Sequence, residues 1–362
     1  MRLEEYRPKS QLVIRTTTVD KPRYPVIDAH NHLTDPFGGS WDRKPLHQLI
    51  DVLDEARIVH YVDLDGGWSE SILQLHLDLF KAKAPDRFSV FGGIDWGKWA
   101  ELGNRFPEWA AHRLRMQKSW GADGIKIWKN FGLTVRDHKR KLVPVNDPRL
   151  TPLWETAAEL AMPVLIHVAD PVAFFEPIDE RNERWEELNR HPEWSFYGPQ
   201  YPAFHKIIHD FHDLVKSHPN TIFVGAHVGG YAENLDWVGK MLDDCPNYYV
   251  DIAARIGELG RQPYSARRFF IQYQDRVLFG SDFGPEISMY RTMYRFLETD
   301  DEYFDYGSGE TPEQGRWRIY GIYLPDEVLK KVYYENAARV ILNRSIYLSV
   351  DGTKTLERGR TK

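Results

Sequence analysis

The run Val26-Ile27-Asp28-Ala29-His30-Asn31-His32 decides how this chain is read. Apolar residues open it and two imidazoles close it. In an extended strand, residues two apart point to the same face, so His30 and His32 converge at a strand end. Two imidazoles side by side in a protein interior are costly unless something uses their lone pairs, and a divalent cation does so at about 2.0–2.1 Å. A hydrogen-bonded surface pair is the competing reading of an isolated His-x-His.

Seven further β-rich runs follow along the 362 residues: His60–Asp65, Phe88–Asp95, Gly124–Trp128, Pro163–Val168, Thr221–Val228, Tyr248–Ala253 and Val277–Asp282. Stretches of helical character separate them. Leu46, Leu49, Ile50 and Leu53 stand at the i, i+3, i+4, i+7 spacing of a helix covering a sheet. Phe204, Ile208, Phe211 and Val215 repeat the pattern, as do Leu235, Val238 and Leu242. Eight such units predict an α/β fold, a (β/α)8 TIM barrel, in which strand C-termini gather around one axis. A doubly wound sheet would also alternate strand and helix, but the even count and the polar strand ends favour closure.

Those ends carry the chemistry. The fifth run finishes Val164-Leu165-Ile166-His167, the sixth Val224-Gly225-Ala226-His227 and the eighth Leu278-Phe279-Gly280-Ser281-Asp282. Barrel closure turns these distant places into one cluster of imidazoles and a carboxylate, which predicts a metal site at the C-terminal mouth.

With these motifs on Val26–Leu33, Leu165–Val168, Val224–Gly230 and Leu278–Phe283, the chain resembles the amidohydrolase superfamily from about Val26 to Leu342. Within it, the resemblance is to the branch of aminocarboxymuconate-semialdehyde decarboxylase and related hydrolases. The resemblance implies that His30, His32, His167 and Asp282 hold the metal. It implies that His227 polarises substrate or transfers a proton, with Asp282 taking part in catalysis as well as ligation. Imidazole and carboxylate ligands suit zinc first and manganese as the alternative, at one ion per chain. A metal in such a site lowers the pKa of its bound water toward about 7.

Three more residues are candidates for substrate contact. Lys126 sits on the fourth run, where some branches of the superfamily carboxylate a lysine to bridge two metals; a substrate-carboxylate anchor and an ordinary ion pair are the alternatives. Arg255 follows the seventh run and offers a guanidinium to a carboxylate, with a salt bridge to Asp251 or a loop acid competing. Trp128, with Trp68 and Trp96 near other strand ends, suits a flat ligand or the packing of long loops.

The expectation is therefore a metal-dependent hydrolase that attacks an amide, lactone or ester of a small carboxylated molecule, aromatic or not, through metal-bound hydroxide. Nonoxidative decarboxylation of a small carboxylic acid is the alternative, because the same ligands serve both. A non-catalytic metabolite-binding barrel is the third reading.

Composition narrows the partners. A net charge of −6 and the absence of a basic run argue against nucleic acid, and no apolar stretch approaches the roughly 20 residues of a membrane span. Cys245 is the only cysteine, so no disulfide framework forms within the chain. The chain reads as cytoplasmic, acting on a small molecule, with a homodimer compatible with its aromatic insertions. Residues 1–25 are expected to form an extension, 26–348 the barrel with a lid over 170–202, and 349–362 a polar tail. His205, His209 and His212 flank an apolar stripe and read as the edge of an outer helix rather than a metal site.

Overall fold

A computed structural model of the chain describes residues 5–6, 8–35, 38–307 and 314–343. Eight parallel strands run in the order β1 to β8: Val26–Asn31, Ile58–Asp63, Phe88–Gly92, Gly124–Ile127, Val164–Ile166, Phe223–Gly225, Tyr248–Asp251 and Val277–Leu278. The strands are mostly apolar and almost wholly buried, as parallel strands covered on both faces must be. The connecting helices include Leu46–Glu55, Phe204–Ser217 and Leu235–Asp244, the three whose stripes the periodicity shows. Their buried residues, Leu49 and Leu53, Ile208 and Phe211, and Val238 and Leu242, cover the sheet.

Closure comes from the first and last strands. The Ala29 amide donates to the Phe279 carbonyl at 3.0 Å and the Ser281 amide to the His30 carbonyl at 3.1 Å. Gly280 permits this approach, because a Cβ there would stand 2.9 Å from the His30 Cβ. Asp28 adds a polar tie, accepting from the Ser281 hydroxyl and the Tyr290 hydroxyl at 2.7 Å each. The chain is a (β/α)8 barrel.

The strands stop before the polar ends of their apolar runs. Beyond them the backbone turns through positive φ at Ala169 (58°), His227 (59°), Val228 (57°), Ala254 (52°) and Asp282 (69°). Left-handed backbone at residues other than glycine costs on the order of 1–3 kcal/mol each and clusters at functional sites. Here it swings strand-end side chains over the barrel mouth.

The segment 170–202 leaves β5 and holds short helices at Val172–Phe175, Trp185–Arg190 and Pro192–Trp194. It is not a free flap. Asp170 pairs with Lys129 at 2.5 Å, the Val172 amide donates to Glu233, and Glu183 pairs with Arg261 at 2.7 Å. Arg184 is buried and pairs with the equally buried Glu258, which follows β7, and with Glu187. Arg184→Ala would leave Glu258 without its cation in the interior, a loss of about 3–5 kcal/mol. Denaturant unfolding of the variant checks this, and a loss below about 1 kcal/mol, the range of an exposed pair, would refute it.

After β8 the chain forms the helix Ile287–Glu298, and the last described helices pack Val332, Tyr333 and Ala337 under β8 and β1. The predicted tail, 349–362, lies outside the described residues. Among the described residues no helix is long and apolar enough to cross a membrane.

Candidate active site

His30 and His32 point into the mouth, as their spacing requires, and each is oriented from behind by a carboxylate. His30 Nδ1 lies 2.8 Å from Asp251 Oδ2, and His32 Nδ1 lies 2.7 Å from Asp65 Oδ1. Those contacts place a proton on each Nδ1 and turn each Nε2 toward the mouth. Both Nε2 atoms face one atom, Asp282 Oδ1, at 3.0 Å from His30 and 3.2 Å from His32.

His227 is held in the same way. Its Nδ1 donates to the Ala253 carbonyl at 2.8 Å, so its Nε2 is bare and stands 4.0 Å from Asp282 Oδ2. Burial, helped by His167, Arg255 and His30, keeps this imidazole well below its ordinary pKa and therefore neutral at pH 7. The rings of His227 and His30 lie 4.9 Å apart.

His167 sits at the edge of this group. Its ring packs edge-on against His227 at 4.3 Å, and its Nε2 lies 3.4 Å from Asp170 Oδ1 in poor hydrogen-bond geometry. Burial lowers its pKa to about 4, so it too is neutral.

Lys126 and Trp128 lie beside His30 and His32, and the charge of Arg255 reaches His227. Lys126 is buried, with Nζ 3.2 Å from His30 Nε2 and 4.8 Å from the Trp128 ring, and burial lowers its pKa to about 8. Trp128 stacks between His32 (5.4 Å) and Trp68 (3.8 Å), and Trp68 is 47% exposed at the rim. Arg255 is buried and donates to the Ala254 carbonyl at 2.8 Å. Asp251 is occupied by other partners, and Arg255 makes no ion pair with a described carboxylate.

The residues fit a divalent cation. Two imidazole nitrogens and a carboxylate oxygen meet within 4.8 Å, and His167 Nε2 is a buried nitrogen with no hydrogen bond. Without a cation, a proton fills the gap. Burial disfavours charge on His32, yet hydrogen bonds to Asp282 and Asp65 outweigh it and raise its pKa to about 9. The cation-free protein therefore carries a proton on His32 at pH 7 that the metal must displace. Metal affinity is expected to rise about tenfold per pH unit from pH 6.5 to 8.5 and to level off near 9. Chelator competition at three pH values tests this, and a flat profile would contradict it.

A second group, Asp63, Asp65 and His76, is also within metal-binding distance. It acts as support instead. Asp65 already accepts from His32, Trp68, the Thr34 hydroxyl and the amides of Leu33 and Thr34, while His76 holds Asp63 at 2.5 Å. Sequence reasoning passed over Asp65 and treated Asp251 only as a partner for Arg255. The available signal was an acidic residue at or just after the end of β2 and of β7, the strands that flank the first and last of the barrel. His205, His209 and His212 lie on the outer helix Phe204–Ser217, away from the mouth, with His212 Nε2 3.2 Å from Asp244.

Comparison with known proteins gives two findings and one blank. A family model described as amidohydrolase matches residues 27–341. No curated protein sequence matches. Among solved structures, 2,6-dihydroxybenzoate decarboxylase from Rhizobium superposes with a TM-score of 0.55 at 14% identity, covering 88% of this chain and 99% of that one. A dihydroxybenzoic acid decarboxylase from Polaromonas sp. JS666, with bound manganese and 2-nitroresorcinol, gives 0.55 at 15% identity over 89% and 98%. The 5-carboxyvanillate decarboxylase of Novosphingobium aromaticivorans DSM 12444, with manganese and a nitrobenzoic acid, gives 0.53 at 12% identity over 91% and 100%. At such identities these likenesses speak to the fold.

Proposed function

Because the chain belongs to the amidohydrolase family and is an enzyme of that superfamily, we propose that it is a metal-dependent nonoxidative decarboxylase of a small, ring-bearing carboxylic acid. The observation that carries this reading is the pairing of a buried lysine and a buried arginine, neither ion-paired to a described carboxylate, with a ligand-ready His30–His32–Asp282 cluster. Asp282, Asp251 and Asp65 act on Lys126, and Arg255 acts on Glu187 and Glu233, but neither cation has a described carboxylate within ion-pair distance, so both can take an anionic group of a substrate. The neighbouring folds that carry decarboxylase names act on aromatic acids, which favours this chemistry over the hydrolysis expected first from the sequence.

In this proposal one divalent cation, zinc or manganese, is held by His30, His32, His167 and Asp282. When bound it supplies a Lewis acid for the oxygens of the substrate. Lys126 and Arg255 grip anionic groups, and the Trp68–Trp128 stack forms an apolar wall for the ring. Loss of carbon dioxide leaves an electron pair on carbon that must take up a proton. His227 Nε2 and Asp282 Oδ2 stand 4.0 Å apart at the gap; His227 would take up a proton from solvent water at Nε2 and pass it to that carbon, returning to its neutral form. The segment 170–202, rooted beside His167, is the lid that excludes water in this scheme.

The test is product analysis. Protein loaded with manganese or zinc is incubated with 2,6-dihydroxybenzoate, 5-carboxyvanillate and related hydroxybenzoates, and released carbon dioxide is measured beside the decarboxylated ring. Turnover of an ester or lactone panel by addition of water, with no carbon dioxide from any acid, would reject decarboxylation in favour of hydrolysis.

A further inference from the structure

We infer that Asp251 is a positioning residue that couples the metal-facing nitrogen of His30 to the placement of His227, so that one carboxylate sets both halves of the site. This rests on the reading of His30 as a metal ligand. Asp251 closes β7, is fully buried, and spends both oxygens on the site. Oδ2 takes the His30 Nδ1 proton at 2.8 Å. Oδ1 accepts from the His227 amide at 2.8 Å and from the Ala253 amide at 3.1 Å.

These bonds do two different jobs. The first selects the tautomer in which His30 Nε2 carries no proton, as a ligand requires. The second anchors a backbone that runs through φ 59° at His227, a conformation that costs energy for histidine and most other side chains. Ala253 extends the same anchor, because its carbonyl accepts from His227 Nδ1 and thereby bares His227 Nε2. Asp65 is the instructive contrast: it orients His32 and the rim Trp68 but touches nothing of His227.

An isosteric amide cannot perform both jobs. If the oxygen of Asp251→Asn stays on the two backbone amides, its NH₂ faces the His30 Nδ1 proton, and His30 must move its proton to Nε2, where the metal binds. If the oxygen turns to His30, the NH₂ faces the amides of His227 and Ala253 and releases that turn.

The experiment combines ¹⁵N histidine NMR with zinc affinity by chelator competition, on wild type, Asp251→Asn and Asp65→Asn, with and without zinc. Wild type is expected to show both His30 and His227 protonated at Nδ1. Asp251→Asn is expected to shift the signals of both histidines and to weaken zinc binding about 10- to 100-fold. Asp65→Asn is expected to weaken zinc while leaving His227 unmoved. The inference is overturned if Asp251→Asn keeps zinc affinity within about twofold of wild type and neither signal moves, or if Asp65→Asn disturbs His227 equally. Should Asp251→Asn not fold, wild type decides alone, since His30 protonated at Nε2 overturns the assignment. A wild type that binds no zinc would reject the metal reading, while the metal-free histidine signals still test the coupling.

Discussion

Asp282→Asn is expected to lose its metal and to lower turnover by at least about a thousandfold, corresponding to roughly 4 kcal/mol of transition-state stabilisation. The carboxylate stands where three functions meet. Its Oδ1 is the atom that His30 and His32 both face, and its Oδ2 is the neighbour of His227 Nε2. Burial works against its charge, but His227, His30 and His32 together hold its pKa well below the usual carboxylate range. An amide there keeps the shape, loses the charge and brings two N–H donors toward a site that needs lone pairs. The backbone at φ 69° tolerates asparagine, so folding is not the expected casualty. Elemental analysis beside steady-state turnover checks both effects, and an Asp282→Asn protein carrying metal at parity with wild type would remove Asp282 from the ligand set.

His227→Ala is expected to behave differently, retaining metal near the wild-type level while turnover falls about 10²- to 10⁴-fold, the usual contribution of a positioned acid–base group. His227 Nε2 is 4.0 Å from Asp282, beyond the distances of His30 and His32, and burial keeps the ring neutral and able to accept a proton. Its backbone amide would still reach Asp251, so the scaffold around His30 survives the truncation. The left-handed backbone is the confounding factor, and His227→Asn answers it, because asparagine adopts that conformation readily and cannot carry the proton. Both variants should lose turnover to a similar extent. Loss of metal in His227→Ala comparable to that in His30→Ala would instead make His227 a ligand.

Much of the site was legible because strand-end residues in a barrel are brought together by topology alone. His30, His32 and Asp282 meet as their positions after β1 and β8 suggest, with His227 next to them. His167 is the partial exception. Its place after β5 was readable, but its ring turns toward Asp170, a residue of the connecting segment rather than of any strand. The insertion at 170–202 reads from the sequence as a lid; its attachment through Arg184 to Glu258 depends on a partner 74 residues away that no local pattern shows.

The sequence by itself determined the barrel, since eight short apolar runs separated by amphipathic helices bury their faces in few other ways. It also determined which strand ends carry imidazole or carboxylate. The tertiary structure alone decided which nitrogen of each histidine faces the mouth. That choice is made by hydrogen bonds from behind, Asp251 to His30, Asp65 to His32 and Ala253 to His227, across sequence gaps of 221, 33 and 26 residues. Side-chain periodicity reports only which face a residue occupies. A tautomer is set by the partner that the folded chain places against the opposite edge of the ring.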